Sequence, residues 1–297
     1  MIEIKNLSAG YTQNLIFENV NLTIEDSSFT ALCGRNGSGK STLLSLIDGI
    51  IPAGMKVTGK ILIDGKDIFS LKRKEAAKLN SYLVQNERPV WNFTVRQFVE
   101  TGLYSFGSLP QNQVDQKVDE ALSRVGILNF ADKKIFNISG GEFQKCRIAR
   151  CLIQQSKNLL LDEMAESLDA AFEVSLLKML KSISSKESGS DVSGKTVLFS
   201  THDVNSALRF ADKVLILDRG TLIEKTPRKI IEGALLAKAK EIILVHNHPS
   251  GDATPSKEDI QLTKETIAAA QLFDISVRDH IIIGARDYYS LRLNGDI

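Results

Sequence analysis

Residues 34–42 read Gly-Arg-Asn-Gly-Ser-Gly-Lys-Ser-Thr, directly after the apolar run Phe29–Cys33 and at the mouth of a helical pattern over Lys40–Asp48. No other stretch limits the possible folds so sharply. Glycines let backbone N–H groups curl around an anion, and the N-terminus of the helix that follows adds a favourable field. Gly34, Gly39, Lys40 and Ser41 hold the positions of the phosphate-loop pattern, in the strand–loop–helix context that gives that pattern its meaning. Lys40 supplies a point charge for the β- and γ-phosphates and Ser41 a hydroxyl for Mg²⁺. Asn36, Gly37, Ser38 and Thr42 complete the expected phosphate cradle.

The rest of the chain suits such a loop. Phe29–Cys33, Lys60–Ile63, Ser81–Gln85, Asn158–Asp162, Thr196–Ser200 and Lys213–Leu217 read as strands, and Thr94–Thr101, Val114–Val125, Glu142–Gln154 and Ala170–Ser182 as helices. This alternation predicts an α/β domain with a largely parallel sheet and its ligand at the carboxyl ends of the strands. The residues before Phe29 and the Val57–Asp64 segment predict an antiparallel flank, and the polar stretch Ser184–Gly194 an exposed loop. Basic and acidic residues balance, 37 against 36, which argues against a broad nucleic-acid surface. No apolar run approaches the ~18–20 residues that span a bilayer, and no basic-then-apolar leader precedes the first strand. The sequence therefore predicts a cytosolic chain whose membrane role comes through a partner. Cys33, Cys146 and Cys151 lack disulfide or metal spacing and read as small buried apolar residues.

Two further stretches carry chemistry. Leu159-Leu-Leu-Asp162-Glu163 is an apolar strand delivering two carboxylates. Asp162 is expected to hold magnesium. Glu163, turned the other way by strand alternation, is expected to polarise an attacking water. Ile138-Ser-Gly-Gly-Glu142 is a second glycine pair, placed just before a helical run and ahead of that acidic strand end.

With these motifs in this order, residues 1–232 resemble the nucleotide-binding subunit of ABC transporters. The resemblance implies an ABC-type P-loop fold with an antiparallel flank and a helical subdomain, hydrolysing ATP with Mg²⁺. It implies that Tyr11 stacks on adenine and that Gln85 senses Mg²⁺ and the membrane partner. It also implies that Ser139, Gly140 and Gly141 close over the γ-phosphate of ATP held by a second copy. Ser167-Leu168-Asp169 then runs between the two sites, and His202 contacts the γ-phosphate. The implied partners are a second copy, polytopic permease subunits and, indirectly, a substrate-binding protein, with the chain peripheral at the cytoplasmic face of the membrane. Two departures are visible: Ile138 and Glu142 stand where leucine and glutamine are commoner, and Met164 replaces a proline. Trp91-Asn-Phe-Thr-Val-Arg-Gln-Phe-Val, followed by Thr101-Gly-Leu-Tyr, resembles the ATPases of iron-siderophore, haem and cobalamin uptake. An ABC ATPase outside transport is the alternative, disfavoured because it usually carries two cassettes or a long insertion.

Residues 233–297 have a different character. Glu241-Ile-Ile-Leu-Val-His246-Asn-His248-Pro places two histidines on one face of a strand end, and Asp259 opens a helix over Ser256–Leu272. Two imidazoles, a carboxylate and a water form an open zinc site in principle, with Ser256 placed to bond the water or an oxyanion. The segment resembles the carboxyl-terminal part of RadC-like proteins, which carry a JAMM (MPN-type) domain, through His246-x-His248-Pro and Asp259 and through Asp279–Gly284 and Tyr288–Arg292. That family takes its general-base glutamate from an upstream strand, and this chain has the first domain there instead. Glu241 does not replace it, lying ~17 Å back along the strand and on the opposite face from His246. The expectation is a partial α/β fragment, inert. A zinc-binding metallohydrolase fused to an ATPase is the alternative.

Overall fold

The computed structural model describes residues 1–297 apart from 12–13, 35, 86, 88–89, 108, 165–167, 169, 186–193, 219–220, 224–230, 232–233, 236–238, 248–251 and 285–286. Its first part is two sheets with helices between and around them. Strands β1 (Ile2–Tyr11), β2 (Asn14–Ile24), β4 (Lys56–Ile63) and β5 (Lys66–Asp67) form an antiparallel sheet in the order β2-β1-β4-β5. Strands β3 (Phe29–Cys33), β6 (Asn80–Leu83), β7 (Asn158–Leu161), β8 (Thr196–Thr201), β9 (Lys213–Asp218) and β10 (Thr221–Ile223) form the second, in the order β10-β9-β3-β8-β7-β6. All its pairings are parallel except β10 with β9.

Both faces of this second sheet are covered, and every residue of β3, β7 and β8 is buried, as expected for a parallel sheet between two layers. Leu32, Leu160, Leu198 and Leu215 point into a cluster shared with α1 (Lys40–Ile47) and with Ile2, Ile4 and Phe17 of the antiparallel sheet. Ala31, Leu159, Val197 and Phe199 point the other way. There they meet the helical side, made of α3 (Val95–Glu100), α4 (Gln111–Arg124), α5 (Gly140–Ile153) and α6 (Ala170–Ser184). Short helices α2 (Arg73–Leu79) and α7 (Val204–Phe210) complete this part. The antiparallel flank, the parallel sheet and the helical subdomain follow the sequence reading. The cysteines do too: all three are buried, and burial pushes the Cys33 and Cys146 thiols up to about 12.

The last part is a small unit of its own connectivity. β11 (Glu241–Asn247) runs into α8 (Lys257–Gln271), then β12 (Ser276–Ile283) parallel to β11, then β13 (Tyr288–Ser290) antiparallel to β12. Thr263, Thr266, Ala269 and Ala270 form the buried stripe of α8, at the i, i+3, i+4 spacing of a helix lying on a sheet. His280 is buried beneath it, with Nδ1 2.6 Å from the Thr263 hydroxyl. The sheet has three strands among the described residues, and β11 pairs there on one side only. The larger apolar cluster nonetheless runs on through Ile231 and Ala234 to Leu244, Ala269 and Val277.

One buried carboxylate marks the far end of the phosphate-loop helix. Asp48 caps α1 and pairs with the Arg73 guanidinium at 2.9 Å. Burial raises its pKa to about 6 against the downward pull of Arg73, and a negative charge at a helix C-terminus is unfavourable in any case. The native state therefore holds a proton where the unfolded chain has lost it. The stability from Asp48 is full below its unfolded pKa of about 3.8 and is lost as pH rises through about 6. Asp48→Asn is expected to flatten the fall in unfolding free energy across that window, read by denaturant titration at a series of pH values. An unchanged slope would remove Asp48 as its source.

Candidate nucleotide site

Sheet order brings the predicted residues together. β3, β8, β7 and β6 lie side by side, with Cys33 opposite Thr201, Phe199 opposite Leu161 and Leu161 opposite Leu83. The residues that follow them all emerge at one carboxyl edge: the loop 34–39 from β3, His202 from β8, Asp162 and Glu163 from β7, and Gln85 from β6.

The loop is shaped by its glycines. Gly39 caps α1 at φ 103°, in the left-handed region. A side chain there would meet Ile16 Cγ2 at 2.9 Å, and one at Gly34 would meet the Leu217 carbonyl oxygen at 2.4 Å. Ser38 Oγ is buried with no hydrogen-bond partner among the described residues. An orphan hydroxyl inside a curl of N–H groups fits a phosphate oxygen. Lys40 is 5% exposed, its ammonium donating to the Gly34 carbonyl at 2.9 Å and lying 3.9 Å from Glu163 Oε1. The Ser41 carbonyl accepts from the Tyr82 hydroxyl at 3.4 Å, and burial together with the nearby Asp162 charge pushes that phenol up. A serine hydroxyl, a carboxylate and an amide oxygen, from Ser41, Asp162 and Gln85, are a hard-oxygen set suited to Mg²⁺. Asn36 is exposed at the loop's rim, and Thr42 is half-buried on the first turn of α1.

The two acids are arranged by one hydroxyl. Asp162 is 1% exposed and accepts from Ser200 Oγ at 2.6 Å, while the Glu163 N–H donates to the same Ser200 Oγ at 2.9 Å. The strand ends at Leu161, before Asp162. What separates the two side chains is the left-handed backbone of Glu163, φ 44°, rather than the strand alternation expected from the sequence. A non-glycine residue there carries roughly 1–3 kcal/mol of local strain, and such strain clusters at functional sites. Gln85 Nε2 donates to Glu163 Oε2 at 2.5 Å, so in this state the amide is committed to the carboxylate.

The remaining candidates surround this centre. His202 is exposed and lines one small cavity with Glu163, Ser200, Glu173 and Ser206. Tyr11, 46% exposed, ends β1 opposite Asn14 of β2, the strand whose Ile16 and Phe17 lie against Gly39. Ser139 caps α5, is exposed, and bonds to Glu142; the space a Gly140 side chain would take is open. Asp169 and Ser167 lie outside the described residues.

Sequence reasoning missed a cluster joining these parts. The Glu87 carboxylate is gripped by Arg150 at 2.5 and 2.7 Å and lies 3.3 Å from Arg147 Nε. Arg147 is buried; it bonds the Val84 carbonyl and, at 2.5 Å, the Gln144 side chain, whose amide donates to the Met164 carbonyl at 2.8 Å. The segment around Gln85, the helix behind Ser139 and the turn after Glu163 thus share one polar network. The available signal was the polar row Gln144, Arg147 and Arg150 at three-residue spacing among the buried residues of α5, since a buried arginine needs partners.

In the carboxyl-terminal unit, Asp259 is the one expected zinc ligand whose side chain lies among the described residues. His246 lies on β11, but its side chain and all of His248 are outside them. Asp259 Oδ2 accepts from both the N–H and the hydroxyl of Ser256, at 2.8 and 2.6 Å. Ser256 and Asp259, two of the four residues that sequence reasoning assigned to zinc chemistry here, form a helix cap. Glu241 pairs with Arg278. No group of three metal-binding side chains is found among the described residues.

A parallel sheet with a phosphate loop at its edge, opposite an acidic strand end, defines a P-loop nucleotide-binding α/β protein. The ABC transporter family profile matches residues 17–166, and the profile of the RadC-like JAB domain matches residues 205–296. The chain belongs to the ABC transporter ATP-binding family and, by that membership, is an ATPase. It is 34% identical over 224 residues to the uncharacterized ABC transporter ATP-binding protein YvrA of Bacillus subtilis (strain 168), covering 74% of this chain and 49% of that one. The chain thus spans about half the length of that relative. It is 30% identical over 246 residues to the petrobactin import ATP-binding protein YclP of the same organism, covering 82% of this chain and 94% of that one. Among solved structures, the dimeric post-hydrolysis state of the cassette MJ0796 with ADP and Pi matches at TM-score 0.66 and 27% identity, over 75% of this chain and 98% of the other.

Ser200 gives the site its simplest test. Ser200→Ala leaves the buried Asp162 carboxylate without one donor and the Glu163 N–H without an acceptor, a loss of about 1–3 kcal/mol. The expected outcome is a lower denaturation midpoint and weaker Mg²⁺-dependent ATP binding, measured by chemical denaturation and equilibrium titration. If both stay at their parent values, Ser200 does not hold the acids.

Proposed function

We propose that the chain is the ATP-hydrolysing subunit of a membrane importer for metal-chelate cargo of the iron-siderophore, haem or cobalamin type. The observation that carries the membrane role is a groove beside Gln85. Trp91 is 68% exposed, Val90 81% and Tyr104 88%. Arg150 and Thr101 line two adjoining cavities, one with Glu87, Trp91 and Phe93, the other with Tyr82 and Tyr104. Large aromatic side chains exposed together mark an interaction site. The fitting occupant is a short cytoplasmic segment of a polytopic permease. No described helix is long and apolar enough to cross a membrane, so attachment at the cytoplasmic face comes through that partner. The import named for YclP and the Trp91–Tyr104 sequence support the cargo class.

In this reading Tyr11 stacks on adenine, while the loop amides, Ser38 and Lys40 hold the phosphates. Thr42 completes the phosphate cradle, and Ser41, Asp162 and Gln85 would hold Mg²⁺, which when bound neutralises phosphate charge. Glu163 takes the proton of the attacking water. It starts bonded to Gln85 through Oε2, so that amide and the water share one carboxylate, which places Gln85 between the groove and the chemistry. His202 and, from a second copy, Ser139, Gly140 and Gly141 meet the γ-phosphate, and Asp169 runs between the two sites. ATP binding favours the closed pair and hydrolysis releases it. The domain boundary falls at 232/233, supported by β9 pairing with β3 inside the nucleotide-binding sheet, although the RadC-like match opens at 205. The fragment 233–297 has no catalytic role; its three-stranded sheet and the Ser256–Asp259 cap support that reading.

Expressed with its permease, the chain is expected to co-purify with it and hydrolyse ATP. Glu163→Gln should keep ATP binding, trap the dimer and lose nearly all turnover. Full turnover in that variant would remove Glu163 as the base, and failure to join any polytopic membrane protein would remove the importer reading. Metal analysis of the purified chain should find no stoichiometric zinc; one equivalent per chain, lost in His246→Ala, would overturn the inert reading of the fragment.

A further inference from the structure

Ser139 is the residue at the head of α5 that the proposed function sends to a phosphate, and its donors are already spoken for. Its N–H and its hydroxyl both donate to Glu142 Oε2, at 2.7 and 2.8 Å, and the Glu142 N–H returns a bond to Ser139 Oγ at 3.3 Å. A serine hydroxyl has one proton to give. While Glu142 accepts it, no phosphate oxygen can.

We propose that Glu142 is a positioning residue that holds the Ser139 turn ready and at the same time opposes its closure on ATP, because a carboxylate and a phosphate compete for the same two donors. This rests on the reading in which Ser139 acts on the nucleotide of a second copy. The carboxylate is held below its usual range by the Ser139 N–H and hydroxyl, with lesser help from Lys133 and Lys145, so it is a full negative charge at any working pH. Both lysines keep their charge and are unchanged in the variants compared below. Lys133 lies over the Phe130 ring at 4.2 Å and Lys145 over the Phe172 ring at 4.0 Å.

A cap alone does not call for this charge. A glutamine in the same place accepts through its carbonyl oxygen and closes the same capping box, without placing a second anion beside the phosphate. The charge is therefore the separable feature. Screening separates it: repulsion between exposed charges fades with salt, whereas cap geometry does not. The result is a brake on dimer closure that is set by ionic strength and released by exchanging one acceptor for another.

The test uses the full chain in the Glu163→Gln background, with ATP-dependent dimerisation read by light scattering. Glu142→Gln is expected to lower the ATP concentration for half-maximal dimer about 3- to 10-fold at low salt, the size of one unit-charge interaction at short range in a high-dielectric setting. The advantage should shrink towards none near 1 M salt, where the Debye length is about 3 Å. Glu142→Ala, which loses the cap, should weaken dimerisation relative to Glu142→Gln at every salt concentration. Equal midpoints for Glu142→Gln and its parent at low salt, or a difference unaffected by salt, would overturn the proposal. Ser139→Arg serves as the separate control. If it still dimerises with ATP, the reading of Ser139 as a trans contact fails, whatever Glu142 does.

Discussion

The hydroxyl of Ser200 holds the site together. It sits on β8, between the strand that feeds the phosphate loop and the strand that feeds the acids, and it bonds one group on each of two consecutive residues. Because it accepts the Glu163 N–H, the chain can turn left-handed immediately after a fully buried strand without leaving that donor orphaned. Because it donates to Asp162, a carboxylate almost wholly removed from water keeps a partner before any nucleotide arrives. Burying a charge without such a partner is costly. The turn, in turn, sets Glu163 against Gln85 and within 3.9 Å of Lys40.

From there the physical connection runs outward through Arg147 and Arg150. These two residues join the segment after β6 to the helix behind Ser139, and Gln144 on the same helix reaches the Met164 carbonyl. Met164, where a proline is usual, is 2% exposed; packing and that hydrogen bond hold the turn in place of a rigid ring. Arg150 also lines the aromatic groove. A displacement of the groove wall therefore has charged, directional contacts through which to reach both the acid turn and the exposed glycine pair. Charge-assisted bonds of this kind fix orientation as well as adding energy.

Much of this was legible in the sequence, for reasons that differ by element. The phosphate loop is readable because Gly39 and Lys40 are dictated by backbone geometry and charge, which few other residues satisfy. The parallel sheet is readable because strands buried on both faces carry continuous apolar runs, as in Leu159–Leu161 and Val197–Phe199. The separation of Asp162 from Glu163 was not readable: strand alternation suggested it, but a left-handed residue produces it, and nothing in Asp-Glu-Met announces a positive φ. The Glu87 cluster escaped because its arginine partners lie 60 and 63 positions away in the chain. In the last unit, Ser-x-x-Asp carried two meanings, a ligand set and a helix cap, and at Ser256 and Asp259 the structure shows the cap.

The open side of β11 has a consequence unrelated to catalysis. Ile243 and Val245 on that strand are each 56% exposed, and its outer backbone row has no described partner. Strands of this kind are templates for pairing between chains. In a crowded compartment this short segment would govern how concentrated the protein can become before copies begin to adhere edge to edge.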